Sequence, residues 1–205
     1  MKQILPQKFT VAVPPENEVA TEAAGHLEGS LRIRKGRRNI VRFGAGCRFT
    51  GSISIEGNRN LVEIGAGADI KGQILVKGNR QRVVIGEKTT SEGIRLLASE
   101  DCDITIGRSC VFAHKIEIRT TDAHSVVDRE TGNRLNPPGS VTIGDRVWVG
   151  GGAILNKGSS VPAGSIVEAN SFVSRAFEEE GVMLAGVPAK VVRTGITWSR
   201  VEKER

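Results

Sequence analysis

From Ile143 the chain is written in blocks of six, IGDRVW, VGGGAI, LNKGSS, VPAGSI and VEANSF, and a further block opens at Val173. Each block opens on an aliphatic residue: Ile143, Val149, Leu155, Val161, Val167 and Val173. Four positions later stands a small or β-branched one: Val147, Ala153, Ser159, Ser165 and Ser171. A period of six matches neither the 3.6 of a helix nor the two of a strand. It suits a coil of three short strands that turns a corner every sixth residue, aliphatic side inward and small residue in the corner. A repeat of this kind buries its apolar face only when others stack on it, which predicts a solenoid.

Upstream the period lengthens. Phe43-Gly44, Ile64-Gly65, Ile85-Gly86 and Ile106-Gly107 lie 21 residues apart, and Cys47, Ala68, Thr89 and Cys110 take the small position after them. Phe49 and Ile55, then Ile70 and Val76, follow at six and twelve; the third unit is looser, with Ser91 and Leu97. The three residues beyond three sixes fall in Glu56–Arg59 and Lys77–Arg80, which have the polar, glycine-containing chemistry of turns. The expected architecture is all-β, a three-sided parallel β-helix over residues 31–174. Glycine-rich corners and an aromatic content of only 4% suit its narrow core. Residues 1–30, without a clear repeat, are expected to form an arm or short helix capping the open β edge. Residues 175–205 should close over the coil through an apolar return strand, Met183–Arg193, and a tail from Trp198 that is a short helix or a frayed end.

A net charge of +6 favours anionic partners or simply solubility. The basic cluster Arg32, Arg34, Lys35, Arg37, Arg38 and Arg42 is either a patch for acidic glycan or nucleic acid, or a solvated edge. No aromatic residue interleaves it for base stacking, which counts against nucleic acid. The cysteines, Cys47, Cys102 and Cys110, are odd in number and show no CxxC spacing, so neither a zinc site nor a disulfide framework is expected. Cys47 and Cys110 fall on inward positions and read as reduced thiols of a cytoplasmic protein. Gln3, Pro6, Gln7 and Lys8 interrupt any apolar run at the N-terminus, against a signal peptide, and no stretch approaches the ~20 apolar residues of a membrane span.

The coil pattern breaks once, over residues 119–141, where RTTDAHSVVDRETGNRLNPPGS should leave the solenoid as a loop. A long loop on a rigid scaffold is where function usually sits. Of three histidines, His26 reads as a surface residue and His114 as structural or a solvated edge. His124 stands on the loop, two residues after Asp122, and histidine is the side chain best placed to accept a proton near neutral pH. No Ser/His/Asp or Cys/His triad has recognisable spacing. Trp148 falls on an outward position, either packed under the loop or against a neighbouring subunit, or serving as a platform or N–H donor beside a ligand.

The six-residue blocks, the loop carrying Thr-Asp-Ala-His, the run Val-Thr-Ile-Gly-Asp-Arg-Val-Trp-Val-Gly and the closing Ala-Gly-Val-Pro-Ala-Lys-Val-Val-Arg together resemble the left-handed β-helix, hexapeptide-repeat acyltransferases. Among these the chain is most similar to sugar and capsular-polysaccharide O-acetyltransferases. The resemblance implies a left-handed coil, against the right-handed rule for β crossovers, and a homotrimer with active sites between subunits. It implies direct acetyl transfer from acetyl-CoA to a sugar hydroxyl with His124 as general base and no metal. A backbone N–H near Gly150-Gly151, or the Trp148 indole, would hold the oxyanion. Asp122 would orient His124, bind the sugar, or only cap the loop's own turn. The positions matching the CoA track are Gly151, Ala169, Ser174, Arg175, Lys190 and Arg193. Where related enzymes often read Gly-Asn-Pro-Ala-Lys, this chain has Gly186-Val187-Pro188-Ala189-Lys190, which removes a polar contact. An antibiotic or amino-acid acceptor is the alternative within the class. A zinc anhydrase on the same coil lacks a third histidine, and a non-catalytic solenoid binding acidic glycan is the alternative outside it.

Overall fold

A computed structural model describes residues 8–201. The chain is a β-solenoid in which the strands up to Met183–Gly186 pair in parallel with those a coil earlier. One wall is a seven-stranded sheet that includes Ile40–Phe43, Leu61–Ile64, Ile104–Ile106 and Val141–Ile143. The other two walls form one 13-stranded sheet: the first wall includes Val111–Phe112, Trp148–Val149 and Ile166–Val167, the second Ile116–Arg119, Ile154–Leu155 and Phe172–Val173, and the seven-stranded sheet is the third. In the early coils a single long strand such as Arg48–Glu56 bends across both walls; in the later ones they separate, as in Trp148–Val149 and Ile154–Leu155. The aliphatic residues that open the blocks, Ile143 to Val173, are all buried, and so are Val147, Ala153, Ser159, Ser165 and Ser171 in the corners. Phe9, Phe43 and Phe49 close the N-terminal end of this core with ring centroids 6.0–6.2 Å apart. Among the described residues there is no helix, so none is long and apolar enough to cross a membrane.

Three expectations differ. The coil starts well before residue 31: Lys8–Ala12 already pairs with His26–Lys35, and Glu18–Ala20 with Ile40–Phe43, so most of the expected arm is solenoid. Residues 1–7, on which the leader argument rests, lie outside the described residues. In the third unit Ala98, not Leu97, points inward. One extra residue enters between Ser91 and Ile94, opposite Ile70–Gly72, and a one-residue slip exchanges the two faces of a strand. At the C-terminus Met183–Gly186 is one more parallel rung, on Ile166–Val167, and only Ala189–Arg193 turns back antiparallel. The described part of the tail, residues 198–201, contains no helix. Arg200 straps it to the body by donating to the carbonyls of Lys88 (3.1 Å) and Cys110 (3.0 Å).

The corner between the second and third walls is set by buried amides. Asn39 Nδ2 donates to Asn17 Oδ1 (2.8 Å), Asn60 Nδ2 to Asn39 Oδ1 (3.0 Å), and the Gln81 N–H to Asn60 Oδ1 (2.9 Å). Just before each amide the chain turns through a left-handed arginine, with φ of 58° at Arg38, 59° at Arg59 and 60° at Arg80. Beside them Gly57 has φ of 131°, and a Cβ there would lie 1.7 Å from the Gly78 carbonyl oxygen. Only glycine lets these corners stack so closely.

Candidate active site

The loop of residues 119–141 leaves from this same corner. Its neck is closed by backbone: the Gly139 N–H donates to the Thr120 carbonyl (3.0 Å), and the Thr120 hydroxyl donates to the Ser99 carbonyl (2.9 Å). Above the neck, Glu100 accepts from the Thr121 hydroxyl and the Arg134 guanidinium. Asp122 Oδ2 is held by the Lys157 ammonium at 2.6 Å and by Asn136 Nδ2 at 2.9 Å. Asn136 also donates to the His124 carbonyl (2.9 Å) and accepts from the Val126 N–H (2.6 Å), tying the two limbs together. These partners hold both carboxyls below the usual carboxylate range, Lys157 and Asn136 acting on Asp122, Arg134 and Thr121 on Glu100.

Ala123, with φ of 65° and its N–H on the Thr121 hydroxyl (3.0 Å), reverses the chain ahead of His124. His124 is exposed, and among the described residues its imidazole makes no hydrogen bond or ion pair. An anchored backbone therefore carries an unengaged imidazole, which suits a proton acceptor awaiting a substrate. Asp122 does not orient that ring here. Its carboxylate is spent on Lys157 and Asn136.

The other expected site residues fall on different edges. Trp148 is 43% exposed on the first wall, between Val111 and Ile166. It faces Trp198 with centroids 6.1 Å apart, beside a cavity of about 350 Å³ lined also by Thr90, Val111, Ser199 and Arg200. Within one chain nothing joins it to the loop. Gly150 is not a free donor, because its N–H is bonded to the Val167 carbonyl (2.8 Å). Gly151 and Ala169 share the corner between the first and second walls, where the His114 ring covers Gly151: a Cβ there would meet its Cε1 at 3.2 Å. Ser174 and Arg175 are exposed, two coils beyond the neck on the loop's own corner, with Arg175 4.8 Å over the Phe177 ring. Lys190 and Arg193 are exposed on the final antiparallel strand.

Lys157, Asn136, Glu100 and Arg134 anchor the loop and carry no signal in the sequence. Their ion pairs and the Asp122–Asn136 bond span 14 to 35 residues, to neighbouring coils or across the loop. Among the described residues no three His, Cys, Asp or Glu side chains group as metal ligands.

No family model matches the chain. It is 32% identical over 113 residues to a polysialic acid O-acetyltransferase of Neisseria meningitidis, covering 55% of this chain and 53% of that one. The chain thus spans about half the length of that relative. The structure is similar to that of the polySia-specific acetyltransferase NeuO, with a TM-score of 0.85 and 28% identity over 96% of this chain and 91% of that one. It is also similar to the polysialic acid O-acetyltransferase OatWY, at a TM-score of 0.76 and 27% identity over 96% and 90% of the two chains. By sequence and by fold, the relatives of this chain are O-acetyltransferases. The resemblance carried by its motifs and the solenoid those motifs imply are both found.

Proposed function

We propose that this chain is an acetyl-CoA-dependent O-acetyltransferase whose acceptor is a hydroxyl of a surface or capsular polysaccharide, with His124 as general base. The observation that carries the reading is the unengaged, exposed imidazole of His124 on a loop fixed at four points beneath it. The neutral ring takes the proton as the acceptor oxygen attacks the thioester carbon. It returns that proton to the departing CoA thiol when the tetrahedral intermediate collapses, so no acyl-enzyme forms. The Gly151 N–H and the Trp148 indole N–H, neither engaged among the described residues, are the donors for the oxyanion.

The CoA track is read along Gly151 and Ala169, where the absence of a larger side chain at Gly151 leaves a pantetheine arm to pack beside the His114 ring, with Ser174. Arg175, Lys190 and Arg193 are the cations for its phosphates. Since Trp148 and His124 lie on different edges of one chain, the reading includes a homotrimer, in which a second subunit completes the cleft between them. It includes no metal and a cytoplasmic location, where acetyl-CoA is made.

His124→Ala tests the assignment, because base catalysis of this kind supplies ~10²–10⁴-fold. Thiol release from acetyl-CoA with a polysaccharide acceptor should fall by that range while the melting temperature stays unchanged. Wild-type turnover in the variant would remove His124 from the mechanism.

A further inference from the structure

The loop's corner continues toward the N-terminus as a ridge of arginines. Arg38, Arg59 and Arg80 occupy the same place in three successive coils, linked by Arg59 N–H to the Arg37 carbonyl (3.0 Å) and Arg80 N–H to the Asn58 carbonyl (2.9 Å). With Arg37, Asn58 and Asn79 they line an exposed groove of about 800 Å³, whose far end is Asp101. Adjacent coils are ~4.8 Å apart, so like charges are stacked at a separation where they repel. Among the described residues none of the four guanidinium groups has an ion-pair partner, whereas nearby Arg34 is paired with Glu56 and Arg42 with Glu18. A left-handed φ is unfavourable for an arginine and easier for glycine or asparagine. The inner ladder from Asn17 to Gln81 and the outer bond from Asn58 Nδ2 to Asn79 Oδ1 (2.9 Å) nevertheless fix all three in that shape.

Next along this corner stand Glu100 and Asp101, then Thr121 and Asp122 at the root of the loop, as the Thr121–Glu100 bond shows. Arg80 therefore lies about two coil spacings, ~10 Å, from the segment that carries His124.

We infer that this ridge docks an extended acidic polysaccharide and leads it along the corner to His124. The inference deepens the transferase reading, on which its link to His124 rests, by assigning the acceptor polymer a docking track outside the catalytic loop. Cations repeated in a line fit a chain with recurrent carboxylates better than a single phosphate, and each fork of guanidinium donors suits a carboxylate. No aromatic side chain lines the groove, which disfavours single-stranded nucleic acid.

The test measures binding of the full chain to polysialic acid, neutral dextran and an oligo-dT strand at two salt concentrations. The comparison is Arg38→Asn/Arg59→Asn/Arg80→Asn, since asparagine tolerates the left-handed turn. Wild-type protein should bind polysialic acid in preference to the other two. The triple variant should bind it ~10-fold or more weakly, with a shallower salt dependence. Acetyl-CoA binding, followed by calorimetry, should not change. If circular dichroism shows the triple variant unfolded, Arg59→Asn alone should still weaken polymer binding measurably. Equal polymer affinity in the variants overturns the ridge, as does wild-type binding of dextran or oligo-dT as tight as that of polysialic acid. Failure of the wild-type protein to bind acetyl-CoA instead sinks the transferase reading and leaves the ridge standing.

Discussion

The Asp122 carboxylate lies 2.6 Å from the Lys157 ammonium, a bond between the base of the loop and a corner one coil further on. It makes Asp122 an anchor of the loop. His124 inherits its position from that anchor and from Asn136, which holds its carbonyl.

Lys157→Ala should therefore act on turnover more than on stability. Under the proposed reading, with His124 as base and acetyl-CoA as donor, a displacement of about 1 Å can cost ~10²-fold, so a fall of ~10–10²-fold in kcat is expected, with KM for acetyl-CoA and melting temperature nearly unchanged. A variant with wild-type kcat would show that Lys157 does not position His124 for catalysis.

The loop should also have a characteristic response to acid. Asp122 and Glu100 have folded pKa values below their unfolded ones, near ~4. Their contribution is complete above the unfolded values and is lost as pH falls through the lower folded values. Hydrogen exchange of residues 121–136, corrected for intrinsic rate, should be flat between pH 5 and 8 and rise below pH ~4 before the coils exchange. Opening near pH 6 would contradict the anchor.

Asn60→Ala should damage the fold far from the loop. It removes the bonds of Asn60 to the Asn39 side chain (3.0 Å), the Gly78 carbonyl (2.9 Å) and the Gln81 N–H (2.9 Å), all buried or partly so. Unsatisfied groups of this kind cost ~1–3 kcal/mol each, so a loss of ~3 kcal/mol or more is expected in chemical denaturation. A shift below ~1 kcal/mol would mean that water replaces the ladder.

The cysteines should separate by alkylation. Cys47 and Cys110 are fully buried and burial pushes both thiols up to about 11; Cys102 is only half-buried. Iodoacetamide at pH 8 should label Cys102 alone in the folded protein and all three in urea, read by mass spectrometry. Native labelling of Cys110 would show that the coil opens there.

Much of the coil was legible from Ile143 to Val173, because a strict period leaves each aliphatic residue one side to face. The pattern failed where the period did. Lys8–Ala12 and Glu18–Ala20 precede any recognisable block and are identified as strands only by their pairing with later coils. The looser third unit hides a one-residue insertion, so spacing places Leu97 inward where the structure has Ala98. The repeat places Trp148 outward, as it is, but its contact with Trp198 joins residues 50 apart in the chain.

What the sequence determined by itself was the repeating inward set, the corners and the one interruption that carries Asp122 and His124. These follow from local rules of spacing and turn chemistry. What only the tertiary structure decided was which corners lie above one another. In a solenoid each residue meets a partner a whole coil away, and bulges and inserts change that interval. Hence the apparent cluster from Arg32 to Arg42 comes apart, with Arg34 and Arg42 neutralised by Glu56 and Glu18, while Arg38, Arg59 and Arg80, scattered in the chain, become one ridge. Likewise Asp122 meets Lys157 rather than His124, two residues away, because the loop closes onto the next coil.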